Sequence, residues 1–320
     1  MKTNKLLVAA ILLASLQASA QNTARSDTSW KRGGFVSLTF NQVSLTNWAA
    51  GGEDALSATS IGNFFANYKR DKVAWDNTLD AAYGFLKSGE AKLRKNDDKV
   101  ELNSKYGYRA FDHIYYSGLL NFKSQFGPGY NYPNDSVIIS RFAAPAYLSV
   151  ALGLDYKPTD YFSLFISPAT GRLVFVTDQK LADAGQFGVD PAKYDAAGNK
   201  LSSGQTLRTE FGAYLRARFQ KDIFKNVNLL STLNLFNNYT DKIQSHKGNI
   251  NVDAQAMLNM KAGKWLTFSV TFQVLYDNNI DIPTYADVTI GNTVYKHAVV
   301  SKGPKTQFKE ALGIGLSYKF

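Results

Sequence analysis

The sequence contains no cysteine, so neither a disulfide framework nor a thiolate metal site is available to it. After the first twenty residues it has no long apolar run, and its mean hydropathy is slightly negative at -0.23. Membrane-spanning helices are thereby excluded. Histidine is scarce, with His113, His246 and His297 only. These three and the carboxylates show no metal-ligand spacing, and the glycines form no phosphate-binding loop. No cofactor and no metal are expected. The formal charge of +10 comes without a basic helix or an RNA-binding signature, so nucleic acid is not expected as a partner.

What is present begins at the N-terminus. Lys2 and Lys5 precede the apolar stretch Leu6 to Leu16, and Ala18-Ser19-Ala20 offers a small-residue cleavage site. This is the pattern of a removable export signal over residues 1–20. The apolar stretch is too short for a comfortable helical span, and no cysteine follows to carry a lipid anchor. Removing Lys2 and Lys5 lowers the charge from +10 to +8. That surplus favours anionic solutes or lipopolysaccharide phosphates over nucleic acid in an exported chain. The 18 Tyr, 21 Phe and 24 Gly suit membrane strands, which carry aromatic girdles at both interfaces.

Period-two alternation runs through the rest. Val73 to Lys87 sets Val73, Trp75, Leu79, Ala81, Tyr83 and Phe85 against Asp76, Thr78, Asp80, Ala82 and Gly84. Gln307 to Phe320 sets Phe308, Glu310, Leu312, Ile314, Leu316, Tyr318 and Phe320 against Lys309, Ala311, Gly313, Gly315, Ser317 and Lys319. A strand rises about 3.3 Å per residue, so roughly nine to eleven tilted residues cross a bilayer core. Twelve such segments can be counted, near 34–41, 58–69, 73–87, 99–109, 115–126, 142–156, 161–176, 206–220, 227–237, 249–261, 265–276 and 307–320. Short connections at 69–72, 110–114, 157–160, 221–226 and 262–264 alternate with long ones. That asymmetry predicts an all-β, transmembrane antiparallel barrel over 34–320, with short periplasmic turns, long outer loops and a periplasmic leader at 21–33. Trp75 and Trp265 both open strands beside short turns, where an interfacial girdle would lie. A hairpin-like Gly-Asn turn within 288–295 is the place where the strand count is least secure.

The last strand, with apolar residues on one face and a terminal Phe320, resembles the closing strand of outer-membrane β-barrels. The resemblance implies that Tyr318 and Phe320 form part of a signal read by the barrel-assembly machinery. A second resemblance rests on Asn41, Ser44, Leu45, Asn47, Trp48, Gly51 and Gly52, within NQVSLTNWAAGGE after the first strand. This stretch resembles a Ser-Leu-x-Asn-Trp-x-x-Gly-Gly signature of exported Gram-negative proteins known only as a domain of unknown function. It implies an outer-membrane barrel from about Phe35 to Phe320 and no activity. Trp48 would anchor at the outer interface and Gly51-Gly52 would let the loop turn inward; a turn packed on the barrel rim is the plainer alternative.

Alternation points Lys99, Lys105, Arg109, Lys123, Arg208, Arg216, Arg218 and Lys309 into the lumen, with Asp76, Asp80, Glu101, Glu210 and Asp253. Two roles fit. The basic side chains would select anionic solutes, or the charges would pair and fill a narrow barrel. The leading expectation is a narrow channel for small polar or anionic solutes, gated by outer loops such as Thr177 to Gln205. The alternative is a plugged structural or adhesive barrel whose outer loops bind a surface partner. Third comes an outer-membrane lipid hydrolase, which would need a Ser and a His adjacent at the membrane rim. No catalytic residue is assigned and an enzyme is not expected. Membrane lipid and lipopolysaccharide are the expected surroundings, with Lys92, Arg94 and Lys95 read as a solvated loop.

Overall fold

A computed structural model describes residues 29–44, 53–132, 135–263, 265–290 and 293–320. The expected export signal, and Leu45, Asn47, Trp48, Gly51 and Gly52 of the signature stretch, lie outside the described residues. Twelve strands form one closed antiparallel barrel in which each strand pairs with its sequence neighbours. They are β1 (Trp30–Val43), β2 (Ala55–Arg70), β3 (Val73–Ser88), β4 (Arg94–Phe111), β5 (Ile114–Ser124) and β6 (Ala146–Thr159). The second half comprises β7 (Phe162–Phe175), β8 (Leu207–Phe224), β9 (Val227–Asn238), β10 (Ile250–Ala262), β11 (Leu266–Tyr276) and β12 (Gln307–Lys319).

The barrel is apolar outside and polar inside. Leu79, Leu102, Leu120, Val150, Leu152, Leu312 and Ile314 are exposed, whereas Ser37, Thr39, Glu101, Asn103, Lys105, Ser149 and Asp155 are buried. Leu152 stands 68% exposed, whereas Ala151, one position before it, and Asp155, three positions after it, are fully inaccessible. An apolar surface of this extent is stable only against hydrocarbon, and a closed barrel leaves no unpaired edge within it. At the short-turn end an aromatic belt includes Trp30, Tyr68 and Trp75, with Trp30–Trp75 ring centroids 5.9 Å apart. The belt continues through Trp265, Tyr318 and Phe320, stacked at 6.0 and 6.1 Å. Amphipathic rings favour that boundary between hydrocarbon and water.

Closure joins β12 to β1 over six residue pairs, Phe35↔Lys319 to Phe40↔Ile314. Phe320 extends the seam: Gly34 N–H donates to its carbonyl at 3.1 Å, and its own N–H donates to Gly34 O at 3.1 Å. Towards the long loops the backbone ladder stops, and the Asn41 carboxamide donates to Leu312 O at 3.3 Å.

Several boundaries differ from the alternation alone, among them three with a clear cause. Trp30 to Gly33 belong to β1, because they pair with Tyr68 to Phe65 on β2. The expected leader therefore gives its last four residues to the barrel. β4 starts at Arg94 because β3 continues far enough to pair Leu86 with Arg94 and Phe85 with Lys95. Residues 142–145 precede β6, since Arg141 and Ala144 close a local turn by paired backbone hydrogen bonds at 2.8 and 2.9 Å. The 288–295 stretch falls in a separate hairpin, Asp281–Ile290 with Thr293–Pro304, outside the barrel sheet.

β7 contains a device that alternation does not reveal. Ser167 faces inward and Pro168 and Ala169 both face outward, after which Thr170, Arg172 and Val174 are buried. Pairing to β6 jumps from Ile166↔Leu154 to Ala169↔Leu152. A proline lacks the N–H that a ladder needs, so the chain bulges and the inward parity shifts by one. Ser167 Oγ donates to Leu152 O at 2.8 Å and accepts from Thr170 Oγ1 at 2.9 Å, filling the gap in the ladder.

Candidate functional site: the barrel lumen

Inward side chains, from neighbouring strands and from across the lumen, meet in three tiers. Nearest the short turns, Lys105 Nζ lies 2.8 Å from Asp155 Oδ1 and 4.0 Å from Asp76. Lys157 bridges the same two carboxylates, at 2.5 Å to Asp76 and 3.3 Å to Asp155. This tier ties β3, β4 and β6 together, with Ser163 of β7 accepting from Lys105 at 3.2 Å.

The middle tier centres on Glu101 of β4. Its carboxylate receives Lys99 Nζ at 2.8 Å and, from across the lumen, Arg216 Nη1 of β8 at 3.2 Å. Asn121 and Asn103 donate to the same oxygen at 3.0 and 3.3 Å. Arg216 also donates to Asn234 Oδ1 at 2.8 Å, which accepts from the Tyr214 hydroxyl at 2.8 Å as well. Lys99 reaches Gln255 of β10 at 3.3 Å. Glu101 is thus held by four donors. A carboxylate removed from water is tolerable at this depth only when its lone pairs are filled in this way.

Towards the long loops, Glu210 pairs with Arg172 and with Arg208, whose Nη1 lies 3.0 Å away. The Arg172 guanidinium also covers the Phe236 ring at 4.1 Å. Lys123 of β5 pairs with Asp253 of β10, and Lys309 Nζ lies 2.8 Å from Asp97 Oδ1. Between the ion pairs, Leu119, Ala151, Phe165, Tyr214 and Phe236 form an apolar core inside the barrel, on the side of β5 to β9.

The other side remains partly open. A cavity of about 150 Å³ reaches from Phe35 and Asn63 up to Asn41, Asn96 and Lys309, with Glu101, Arg216 and Arg218 also in its lining. Of its 28 lining residues, 18 are polar or charged. Asp80 is among them and accepts from the Asn63 carboxamide. Arg218 Nη2 donates to Gln220 Oε1 at 3.0 Å.

Of the sequence-derived lumenal residues, Lys99, Glu101, Arg216 and Arg218 meet at the middle level and Asp76 joins Lys105 below them. Arg208 joins Glu210 above. Arg109 does not join them: at the short-turn end it is exposed, because β4 has already passed the last ion-paired tier. Arg172, Asp155, Lys157 and Asp97 complete the tiers. Asp155 follows the alternation of β6, and Arg172 is hidden by the Pro168 bulge. Of the signature residues, Asn41 lines the cavity and Ser44 is exposed at the end of β1. Lys92 and Arg94 engage the neighbouring loop, Lys92 at 2.6 Å from Asp135 and Arg94 over the Tyr132 ring at 4.9 Å. Lys95 turns inward to Asp98 at 2.8 Å and Gly127 O at 2.9 Å, so it is not a solvated loop residue.

The long loop after β7 is folded. A helical turn, Gln179–Asp183, is capped by the Asp178 carboxylate, and Leu181, Ala182 and Val189 pack with Ala144 and Val176. Gly188, at φ +75°, lets the backbone settle on the mouth; a Cβ there would lie 2.9 Å from Asn279 Cβ and 3.1 Å from Arg208 Cζ. Asp183 is held down to about 2 by the Lys200 ammonium and the Gly204 N–H. His113 sits in a short turn with Nδ1 3.1 Å from Lys157 O, and His246 Nδ1 lies 3.7 Å from Asp241.

The family described as a protein of unknown function (DUF3078) matches residues 40–130. No curated protein matches the chain. Among solved structures, the chain is similar to the translocator domain of autotransporter NalP from Neisseria meningitidis. That match has 11% identity and a TM-score of 0.37, covering 99% of this chain and 97% of that one. It is also similar to an outer-membrane channel from Pseudomonas putida F1, at 13% identity and a TM-score of 0.36 over 91% and 96% of the two chains. The NanC porin matches at 9% identity and a TM-score of 0.35, over 89% and 100%.

Proposed function

We propose that this chain is an outer-membrane β-barrel that passes small polar solutes through a lumen closed at rest. Residues 1–20 would export it, the short turns would face the periplasm, and Tyr318 and Phe320 would serve barrel assembly. One observation carries the reading. The polar cavity runs along the lumen beside the Glu101–Arg216 bridge, a contact that crosses from β4 to β8 at mid-strand. A lumen crossed by a removable electrostatic contact beside a polar cavity suits a gate better than a permanent pore.

The test is single-channel conductance of refolded residues 21–320 in a planar bilayer under a salt gradient. Wild type is expected to stay closed with brief openings. Glu101→Gln, which keeps size and removes the counter-charge of Lys99 and Arg216, is expected to open more often and to favour anions. A steady wide conductance in wild type would refute closure at rest. A tight seal in both proteins, with the barrel folded, would refute transport. That second outcome would leave the plugged barrel with a binding outer face, a reading supported by the compact loop over Arg208.

A further inference from the structure

The cavity lining carries, on opposite sides of the barrel, two polar atoms whose hydrogen-bonding capacity is unspent. Arg218 Nη1, a donor on β8, and Asn63 Oδ1, an acceptor on β2, are both shielded from water and without a hydrogen-bond partner among the described residues. The rest of each group is occupied: Arg218 Nη2 by Gln220, and Asn63 Nδ2 by Asp80. The other cations in this lining are matched, Lys99 and Arg216 to Glu101 and Lys309 to Asp97. Arg218 forms no ion pair within 4.0 Å among the described residues. Asp80 and Glu101 attract its charge from further away, but a buried guanidinium N–H without a hydrogen-bond partner is costly unless something fills it.

We infer that the cavity binds a compact carboxylate that also carries a hydroxyl or ammonium group. Its carboxylate would lie on Arg218 Nη1 and its donor on Asn63 Oδ1. A guanidinium recognises a planar carboxylate better than a spherical halide, because its N–H groups lie in one plane. Size points the same way. About 150 Å³ holds a hydroxy acid or amino acid of a few heavy atoms and refuses an oligosaccharide. The inference rests on the lumenal route proposed above, and names the class of solute that would occupy it.

Calorimetric titration of the refolded, detergent-solubilised chain with lactate, glycine and propionate tests it without any current being measured. Lactate or glycine is expected to bind, and propionate, which lacks the second donor, at least fivefold more weakly. Which of the first two binds tighter distinguishes a hydroxyl from an ammonium donor. Arg218→Gln is expected to weaken binding at least tenfold. Lys31→Gln, at an exposed pair with Asp160 away from the cavity, should change it less than threefold. Folding of each variant is checked by heat-dependent gel mobility, and a chloride titration supplies the baseline. Absence of carboxylate binding to a folded wild type, or equal binding by the folded Arg218→Gln variant, would overturn the inference. Conductance without binding would overturn this site alone. Binding in a barrel that never conducts would overturn the gated route and leave the site.

Discussion

Glu101 shows what a single lumenal residue has to achieve. Its alternation partner on the outer face, Leu102, meets hydrocarbon, while Glu101 is buried with four donors around it. Deleting the carboxylate strands two cations in a confined space, and breaking a buried pair from one side costs about 3–5 kcal/mol. Glu101→Ala is therefore expected to lose stability of that order in urea unfolding from lipid vesicles. The double variant with Arg216→Ala is expected to recover part of the loss, since it removes one of the stranded charges. A cost of Glu101→Ala below about 1 kcal/mol would contradict the central role of this carboxylate. Inward direction was legible for Glu101, Lys99 and Arg216 from odd and even positions. Their partners were not, because Glu101 and Arg216 lie 115 residues apart and meet only when the barrel closes.

At the scale of elements, strands were read closely and their ends less so. A strand interior announces itself by alternation, whereas its end depends on how far the neighbouring strand continues to offer hydrogen bonds. β4 gained Arg94 to Asp98 for that reason, and β1 gained Trp30 to Gly33. Pro168 was the available clue to the β7 bulge, since a proline inside a central strand demands an irregularity. The loop after β7 is the other element whose order alternation could not show, apart from its hairpin turn. Asp195 accepts from Asn199 N–H at 2.8 Å and Gly198 takes φ +86°, as that turn requires. Asp183 ties the helical turn to Lys200 and to Gly204 N–H, at 2.5 and 2.8 Å. Its pKa is lowered in the folded loop from the ordinary 3.8 to about 2. The contribution is thus complete above pH 4 and disappears as pH falls towards 2. Proteolysis of this loop by an acid-active protease is expected to accelerate between those values. In Asp183→Asn the loop is expected to be cut faster at pH 4 and to show little further change on acidification.

For the whole molecule, the inside-out distribution of polarity dictates the surroundings. Leu120 on β5, paired with Val150 on β6, sits within the exposed apolar band. A cation at mid-membrane depth costs roughly 2–4 kcal/mol. Leu120→Arg is expected to lower folding into vesicles by that amount, and Leu120→Ile to leave it nearly unchanged. Equal folding of both would mean that this band does not face lipid.

The amino-acid pattern determined by itself that the chain makes twelve antiparallel barrel strands with one apolar and one polar face. Each of those properties is local: it depends on neighbours two residues away and on turns of a few residues. Only the closed tertiary structure decided whether the lumen is an open basic pore or a braced interior. That depends on distances between walls, where charges from β4 and β8 or from β5 and β10 come within contact and draw together because water is scarce there. Closure also decided that one half of the lumen is packed with Leu119, Phe165 and Phe236 while the other keeps a polar cavity. Side-chain volume is summed across the barrel, and no stretch of sequence carries that sum.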